Sequence, residues 1–415
     1  MTTSQARQEG AGAPGSSPAP GESGPAKAPR RRLAGIDVAR GIAVIGMFCA
    51  HFDPDLLNPD SWLQQLVTGR SAALFALLAG VSIALLSGGG EPAEGRAMRA
   101  RRVQIAVRAV LLFVLGLALT SLGTTVKEIL TVYAVLFLLS IPLLRVRPLV
   151  LAVAAAVLAV AGPLASFALR GSVVPQTRTG VSPGWADLTS AQGALEVLKG
   201  ILLTGTYPVL TWLPFLLAGL AIGRLDLRAR TVRLTMALAG AVLASAAYAA
   251  SWAAMNPLGG YARIAGNLGG GLDVEGVRLM TADSPGTVPV DDPGFLFISA
   301  SHSGAPLEIL AEIGVAMVVI SVSLVVADRF PRAVVPLASV GALALTGYAG
   351  HIVVIWAIGI DRLTVLATET GYLPLVVLVV ATMVLTTVWR RFLGRGPLEA
   401  LLARLSTAAG SLVRP

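Results

Sequence analysis

The chain has 415 residues, of which 55% are hydrophobic and only 13% charged, with a formal net charge of +9. The charged fraction is about half that of an ordinary soluble protein, which excludes a soluble globular domain. In a chain this apolar, with mean hydropathy +0.75, basic residues between apolar runs set membrane topology and do not point to nucleic acid. Cys49 is the only cysteine, so neither an intrachain disulfide nor a cysteine-based zinc site can be built.

Residues 1–32 are rich in Pro, Gly, Ser and Ala and end in Arg30-Arg31-Arg32. They are expected to form a disordered basic tail. No small-residue cleavage site interrupts the passage into the first apolar run, so that helix is expected to be retained. About ten bilayer-length segments follow, near 35–53, 66–87, 103–121, 125–142, 148–168, 206–223, 233–253, 305–327, 335–358 and 371–390. The chain thus reads as an all-α polytopic membrane protein.

The first segment carries Asp37, Arg40 and His51. Eleven residues separate Arg40 from His51, about three turns and roughly 16 Å of rise, so the two share a face, and Asp37 shares it too. Ionisable groups at membrane depth are costly and mark function. The stripe runs across the membrane and points to chemistry joining its two sides.

Arg70 opens the second segment. The run Arg96-Ala-Met-Arg99-Ala-Arg101-Arg102 precedes the third, and Arg108 lies within it. Pro142 is expected to close the short fourth segment. Residues 191–204 read as a surface helix or a re-entrant entry to the sixth. The seventh follows a loop holding Arg224, Arg228, Arg230 and Arg233. Glu308 and Glu312, one turn apart, open the eighth, and Arg329 and Arg332 follow it.

Every alternate short loop is basic, so the positive-inside rule favours an even number of spans with both termini cytoplasmic. The body then covers 33–395, with a cytoplasmic segment over 396–415. Two long outer segments, about 169–205 and 254–304, either shape a pocket or are tolerated insertions. No repeat of 20–50 residues is visible.

The chain has three histidines. His51, His302 (in Ser301-His302-Ser303-Gly304) and His351 all fall toward the outer side, with Arg70, Glu308 and Glu312. Imidazole is the usual general base near neutral pH, and a carboxylate or guanidinium nearby would orient it and hold developing charge. Plainer readings stand beside this. An interfacial histidine is often a satisfied neighbour of the headgroups, and acidic residues favour a helix N-terminus. On the inner side, Arg99, Arg102 and Arg108 could bind phosphates bidentately, although positive-inside loops look much the same. Gly88-Gly89-Gly90 and Gly269-Gly270-Gly271 do not lie between a strand and a helix, so they are no nucleotide fingerprint. Scattered histidines without an HExxH pattern give no reason to expect a metal.

Leu33-Ala-Gly-Ile-Asp37-Val-Ala-Arg40-Gly-Ile-Ala43, followed by His51, resembles the opening signature of transmembrane acyltransferases. These include the acyltransferase-3 proteins and those like heparan-alpha-glucosaminide N-acetyltransferase. The second-helix stretch Gly69-Arg70-Ser-Ala-Ala-Leu-Phe75-Ala-Leu-Leu-Ala-Gly80 resembles the bacterial glucosaminide-acetyltransferase-like branch. So do Tyr207-Pro-Val-Leu-Thr-Trp212, continued through Gly219 to Gly223-Arg224, and Ser301-His302-Ser303-Gly304. Leu345-Thr-Gly-Tyr348-Ala-Gly-His351 and Gly396-Pro397-Leu398-Glu399 resemble the related DUF418 family.

The resemblance covers most of 33–400. It implies a multi-pass plasma-membrane enzyme that moves an acyl group, most simply acetyl, from cytoplasmic acyl-CoA to a hydroxyl or amine of an extracytoplasmic glycan or small molecule. It implies His51 as the catalytic residue. Arg40 would then line the donor channel, with Asp37 fixing Arg40. Arg99-x-x-Arg102, with Arg108 and Arg224, would stand on the CoA side, and Arg70, His302, Glu308 and His351 on the acceptor side. No metal is implied, no nucleic-acid partner either, and a homodimer is compatible with it. One departure is clear. The animal lysosomal enzyme places its catalytic histidine before a Ser-Trp pair in the first loop, and the matching stretch Asn58-Pro59-Asp60-Ser61-Trp62 has none. Either His51 takes that role or the chemistry of this branch differs. On composition alone a secondary transporter of a small polar or anionic solute fits equally well, but the inverted repeats and midplane charges expected of one are not visible. A non-catalytic scaffold would tolerate replacement of Arg40 and His51.

Overall fold

The computed structural model describes residues 33–54, 61–173, 180–282 and 284–413. The tail 1–32 and Asn58-Pro59-Asp60 lie outside the described residues. What is described is helical throughout. In order come α1 (Ala34–Phe52), α2 (Trp62–Val67), α3 (Arg70–Leu86), α4 (Gly95–Thr120), α5 (Leu130–Ser140) and α6 (Pro148–Val173). Then follow α7 (Ala191–Lys199), α8 (Val209–Ile222), α9 (Arg230–Met255), α10 (Gly260–Leu268), α11 (Val274–Ala282) and α12 (Pro306–Arg329). The chain ends in α13 (Val335–Ala342), α14 (Ala344–Ile358), α15 (Ile360–Thr370), α16 (Leu373–Phe392) and α17 (Pro397–Ser411).

Among the described residues, 7 helical segments are long and apolar enough to cross a bilayer, or up to 9 if each of two bent pairs is one span. Leu130–Arg145 is a shorter apolar helix. Each of the ten segments expected from sequence contains helix, but only 7 to 9 of the described segments are long and apolar enough to count as spans, and several are not straight. Gly69, at φ +73°, separates α2 from α3. The α-helix of the fourth segment ends at Ser140, next to Pro142 as expected, and a 3₁₀ turn over Ile141–Arg145, with Pro142 in its first positions, follows it. Residues 191–204 join α8 at a bend of 57°, and α13 meets α14 at 81°.

Glycines let the helices close on one another. A Cβ on Gly219 of α8 would run into the carbonyl of Leu77 on α3, and one on Gly80 into that of Leu216. Gly240 of α9 and Gly314 of α12 each stand with the other's carbonyl 2.6 Å from where a Cβ would be. Gly341 of α13 lies against the Asp37 carbonyl of α1. Such close backbone approach drives helix association where lipid supplies no hydrophobic force.

The long segments at one end are built, not merely inserted. Met255, Ile264, Val277, Val288, Phe295, Ile298 and Ala305 form a small apolar core of their own. Arg170, at the end of α6, holds the segment through the Val288 carbonyl at 2.8 Å. Asp292 accepts hydrogen bonds from Gly294 and Asn267 and lies by Arg263. Burial opposes ionisation of Asp292, but these donors win and hold its carboxyl below its ordinary range. The Thr206 hydroxyl donates to the Gly180 carbonyl at 3.0 Å, and the backbone of Gly286 abuts Gly205 and Thr206, so the two long segments meet. This is the histidine end of the bundle. The basic end holds Arg96 to Arg108, Arg224, Arg233 and α17.

Candidate functional site

Helix α1 carries the polar stripe. Asp37 is only 2% exposed, and its carboxylate accepts from Arg40 Nη1 at 2.9 Å. Arg40 Nη2 donates to Ser82 Oγ of α3 at 2.6 Å. The guanidinium is thus neutralised on its own helix and tied to the next, which is how a charge is kept at membrane depth.

One end of the stripe is a hydrogen-bonded pair of histidines. His51 Nδ1 and His351 Nε2 are 3.2 Å apart, and their rings stack at 5.3 Å with an interplanar angle of 12°. His351 Nδ1 bonds the Tyr348 carbonyl. A carbonyl only accepts, so His351 Nδ1 carries the proton, and in the neutral ring Nε2 is then an acceptor. His51 Nδ1 must therefore donate to it, which leaves the lone pair of His51 on Nε2. For neutral rings these contacts fix both tautomers, with Nδ1–H on each histidine and the lone pair of His51 on Nε2. His302 and Lys127 lie near enough to act on the charge of His51.

Aromatic rings wall this pair. Phe48 and Tyr348 lie 5.0 and 5.3 Å from the His351 ring. Phe75 of α3 lies nearly parallel to both Tyr133 of α5 and Tyr348 of α14, at 5.7 and 6.3 Å. The Tyr348 hydroxyl accepts from the Ile129 N–H at 3.3 Å. Beside it, buried Glu128 caps α5, taking the N–H of Leu130, the N–H of Thr131 at 3.1 Å and the Thr131 hydroxyl at 3.0 Å.

The Ser301-to-Gly304 turn closes over this end. His302 has φ +58°, the left-handed region that a side chain of this size rarely adopts, and such strain gathers at functional sites. Its ring meets Tyr207 edge-on at 5.6 Å, and Tyr207 meets Trp212 the same way at 4.8 Å. Buried Glu308 holds the turn by accepting from Ser303 Oγ at 2.8 Å and the Gly304 N–H at 2.6 Å. Glu312, one turn on, is buried as well, with an oxygen 2.5 Å from where a Cβ on Gly69 would stand. Arg70 Nε donates to the Tyr248 hydroxyl at 2.8 Å, with its guanidinium 5.2 Å from that ring centroid, and Nη1 reaches the Gln65 carbonyl. The structure therefore brings His51 and His351 into direct contact, and assembles Arg70, His302, Glu308 and Glu312 around the adjoining turn.

At the basic end Arg99 and Arg102 are exposed and make no hydrogen bond or ion pair among the described residues. Arg108 donates to Ser406 Oγ of α17 at 3.2 Å and stands near Arg101 and Arg395. Arg224 is buried and differently engaged. It bonds the Gly89 carbonyl at 2.8 Å and the Leu144 carbonyl, joining two loops.

The C-terminal helix reaches the site too. Glu399 accepts from the N–H of Leu345 at 2.8 Å, the N–H of Thr346 at 3.0 Å and the Thr346 hydroxyl at 2.5 Å. It thereby caps α14, the helix of His351, just past the 81° bend.

Sequence reasoning passed over Tyr133, Glu128, Ser82 and Glu399 as site residues. Tyr133 had a signal, a lone phenol in the apolar run Leu130-Thr-Val-Tyr133-Ala. Glu128, directly before that run, had one as a cap. Glu399 had one in the Gly396-Pro397-Leu398-Glu399 motif, whereas Ser82, which acts across a long sequence separation, had none.

The model of the heparan-alpha-glucosaminide N-acetyltransferase catalytic domain matches residues 32–255, and that of the DUF418 family of unknown function matches residues 295–409. His51 comes from the first stretch and His351 from the second, so the pair joins the two matches. No curated protein matches the chain significantly. The first match takes in more than half of the chain, which therefore belongs to the heparan-alpha-glucosaminide N-acetyltransferase catalytic family, a family of membrane acetyltransferases.

Proposed function

We propose that this chain crosses the plasma membrane ten times with both termini in the cytoplasm, and transfers an acetyl group from acetyl-CoA bound at the basic end to an amine or hydroxyl presented at the histidine end. The single observation that carries this reading is the oriented His51–His351 pair, on the same helix as a neutralised arginine leading toward a mouth of uncommitted guanidiniums. The basic short loops support the orientation. Arg99 and Arg102, with Arg108 behind them, would take the phosphates of CoA, a role suited to forked donors. Arg224 would hold the loops at that mouth. The pantetheine arm would run past Arg40 toward His51, a rise of roughly 16 Å along α1.

His51 Nε2 takes the proton of the acceptor as its nitrogen or oxygen attacks the thioester carbonyl carbon. The new bond to carbon forms and the carbonyl electrons move onto oxygen. On collapse the C–S bond breaks, and the proton on His51 passes to the departing thiolate, giving CoA thiol and the acetylated acceptor. The arrangement supplies positioning and general-base catalysis. Arg70, His302 and Glu308 shape the acceptor side.

Calorimetry in nanodiscs tests the donor half. Wild type and His51→Ala should bind acetyl-CoA alike, whereas Arg99→Ala/Arg102→Ala should lose binding. No binding to wild type would defeat the reading. Orientation is tested by labelling single cysteines in a Cys49→Ser background: Asp273→Cys should react from outside the cell, and Arg332→Cys only after permeabilisation.

A further inference from the structure

We propose that the phenol hydroxyls of Tyr133 and Tyr348 form the oxyanion site of the transfer reaction, an inference that rests on the transferase reading above. Tyr133 is 3% exposed, and its hydroxyl oxygen is buried with no hydrogen-bond partner among the described residues. A buried hydroxyl left unmade is destabilising, and native interiors contain few. Tyr348 is 1% exposed. Its one hydrogen bond, from the Ile129 N–H at 3.3 Å, occupies an acceptor lone pair, so its own O–H proton is uncommitted. Two buried O–H donors without acceptors therefore stand on one aromatic stack, with Phe75 nearly parallel to both rings. Tyr348, Tyr207 and the Glu128 carboxyl are all close enough to act electrostatically on Tyr133. The Tyr348 ring lies 5.3 Å from His351, which bonds His51.

Donors in this position answer a need that the fold creates. Acyl transfer places negative charge on the thioester oxygen, and preorganised donors in a dry site stabilise it. Soluble enzymes often use backbone N–H groups for this. Within apolar helices those groups are consumed by the helix itself, so side chains must supply the donors. Both phenols are well placed to be rigid. Tyr133 follows directly on the Glu128–Thr131 cap, and Tyr348 lies on α14, fixed at its start by Glu399. In the transfer step the thioester carbonyl oxygen gains the electron pair and accepts both O–H bonds. When the carbonyl re-forms and the C–S bond breaks, the phenols keep their protons, and only His51 exchanges one.

The test uses the full chain in nanodiscs, with acetyl-CoA as donor and glucosamine as amine probe, reading CoA thiol release and product acetylation. Tyr133→Phe removes an oxygen that bonds nothing in the protein, so a structural role predicts no effect on rate and unchanged or higher thermal stability. The oxyanion role predicts a fall in kcat on the order of 10²-fold, with KM for acetyl-CoA within about twofold and stability unchanged or higher. Tyr348→Phe should lose as much in rate and also some stability, because the Ile129 N–H is orphaned. Wild-type kcat in Tyr133→Phe would overturn the inference while leaving the transferase reading intact. Absence of acetyl transfer in the wild type would overturn both.

Discussion

Replacing His351 is the sharpest probe of the relay. His351→Phe keeps a planar ring of similar size against Phe48 and Tyr348 but deletes Nε2, the acceptor 3.2 Å from His51 Nδ1. Two consequences follow. The buried His51 N–H loses its partner, at a cost of about 1–3 kcal/mol. The ring of His51 is also no longer held in the tautomer with its lone pair on Nε2. Losing the orienting member of a triad costs about 10⁴ in kcat where that member is a charged carboxylate. A neutral imidazole carries no such charge, so a fall on the order of 10²–10³ is expected, about 3–4 kcal/mol of transition-state stabilisation. His351→Gln offers an amide oxygen in place of Nε2 and should recover at least tenfold over His351→Phe. CoA release from acetyl-CoA, measured alongside calorimetric donor binding, separates rate from docking, and binding should be unchanged in both variants. A double variant with His51→Ala should be no slower than His51→Ala alone, since members of one catalytic unit are not additive. Near wild-type turnover by His351→Phe would refute the reasoning.

Other expectations follow from the same contacts. Glu399→Ala removes the acceptor of two backbone N–H groups at the start of α14 and should lower the melting temperature and kcat together, by about 1–3 kcal/mol in stability; unchanged turnover would show that α14 does not need this cap. Charge reversal, Arg99→Glu/Arg102→Glu, should weaken acetyl-CoA binding more than the alanine pair does, and the wild-type affinity should fall with salt; a salt-independent affinity would count against phosphate contacts there.

Much of the candidate site was legible before any coordinates. The Asp37–Arg40–His51 stripe follows from helical periodicity, because a helix long enough to span a bilayer places residues three and eleven apart on one face. The apolar runs gave the helical segments and the basic loops gave their grouping. Pro142 marked the end of α5 correctly, because proline cannot continue an α-helix, although a short 3₁₀ turn follows it. The bend at Leu343 was not visible as a break in hydropathy, since both halves remain apolar, whereas residues 191–204 read as a separate entry to the sixth segment and do join it at a bend.

Composition and local pattern, then, determined the class of this protein, its helices, the two charged ends and the stripe that joins them. These properties depend on residues close in sequence and on burial in lipid. Only the tertiary structure decided which groups meet. It set His51 against His351 across three hundred residues, left the Tyr133 hydroxyl without a partner, and brought Glu399 from the last helix to cap the one that carries His351. Such pairings depend on how closely helix backbones approach, as at Gly80 with Gly219 and at Gly341 with Asp37. No local sequence signal records that distance, because a small residue permits close contact without naming its partner.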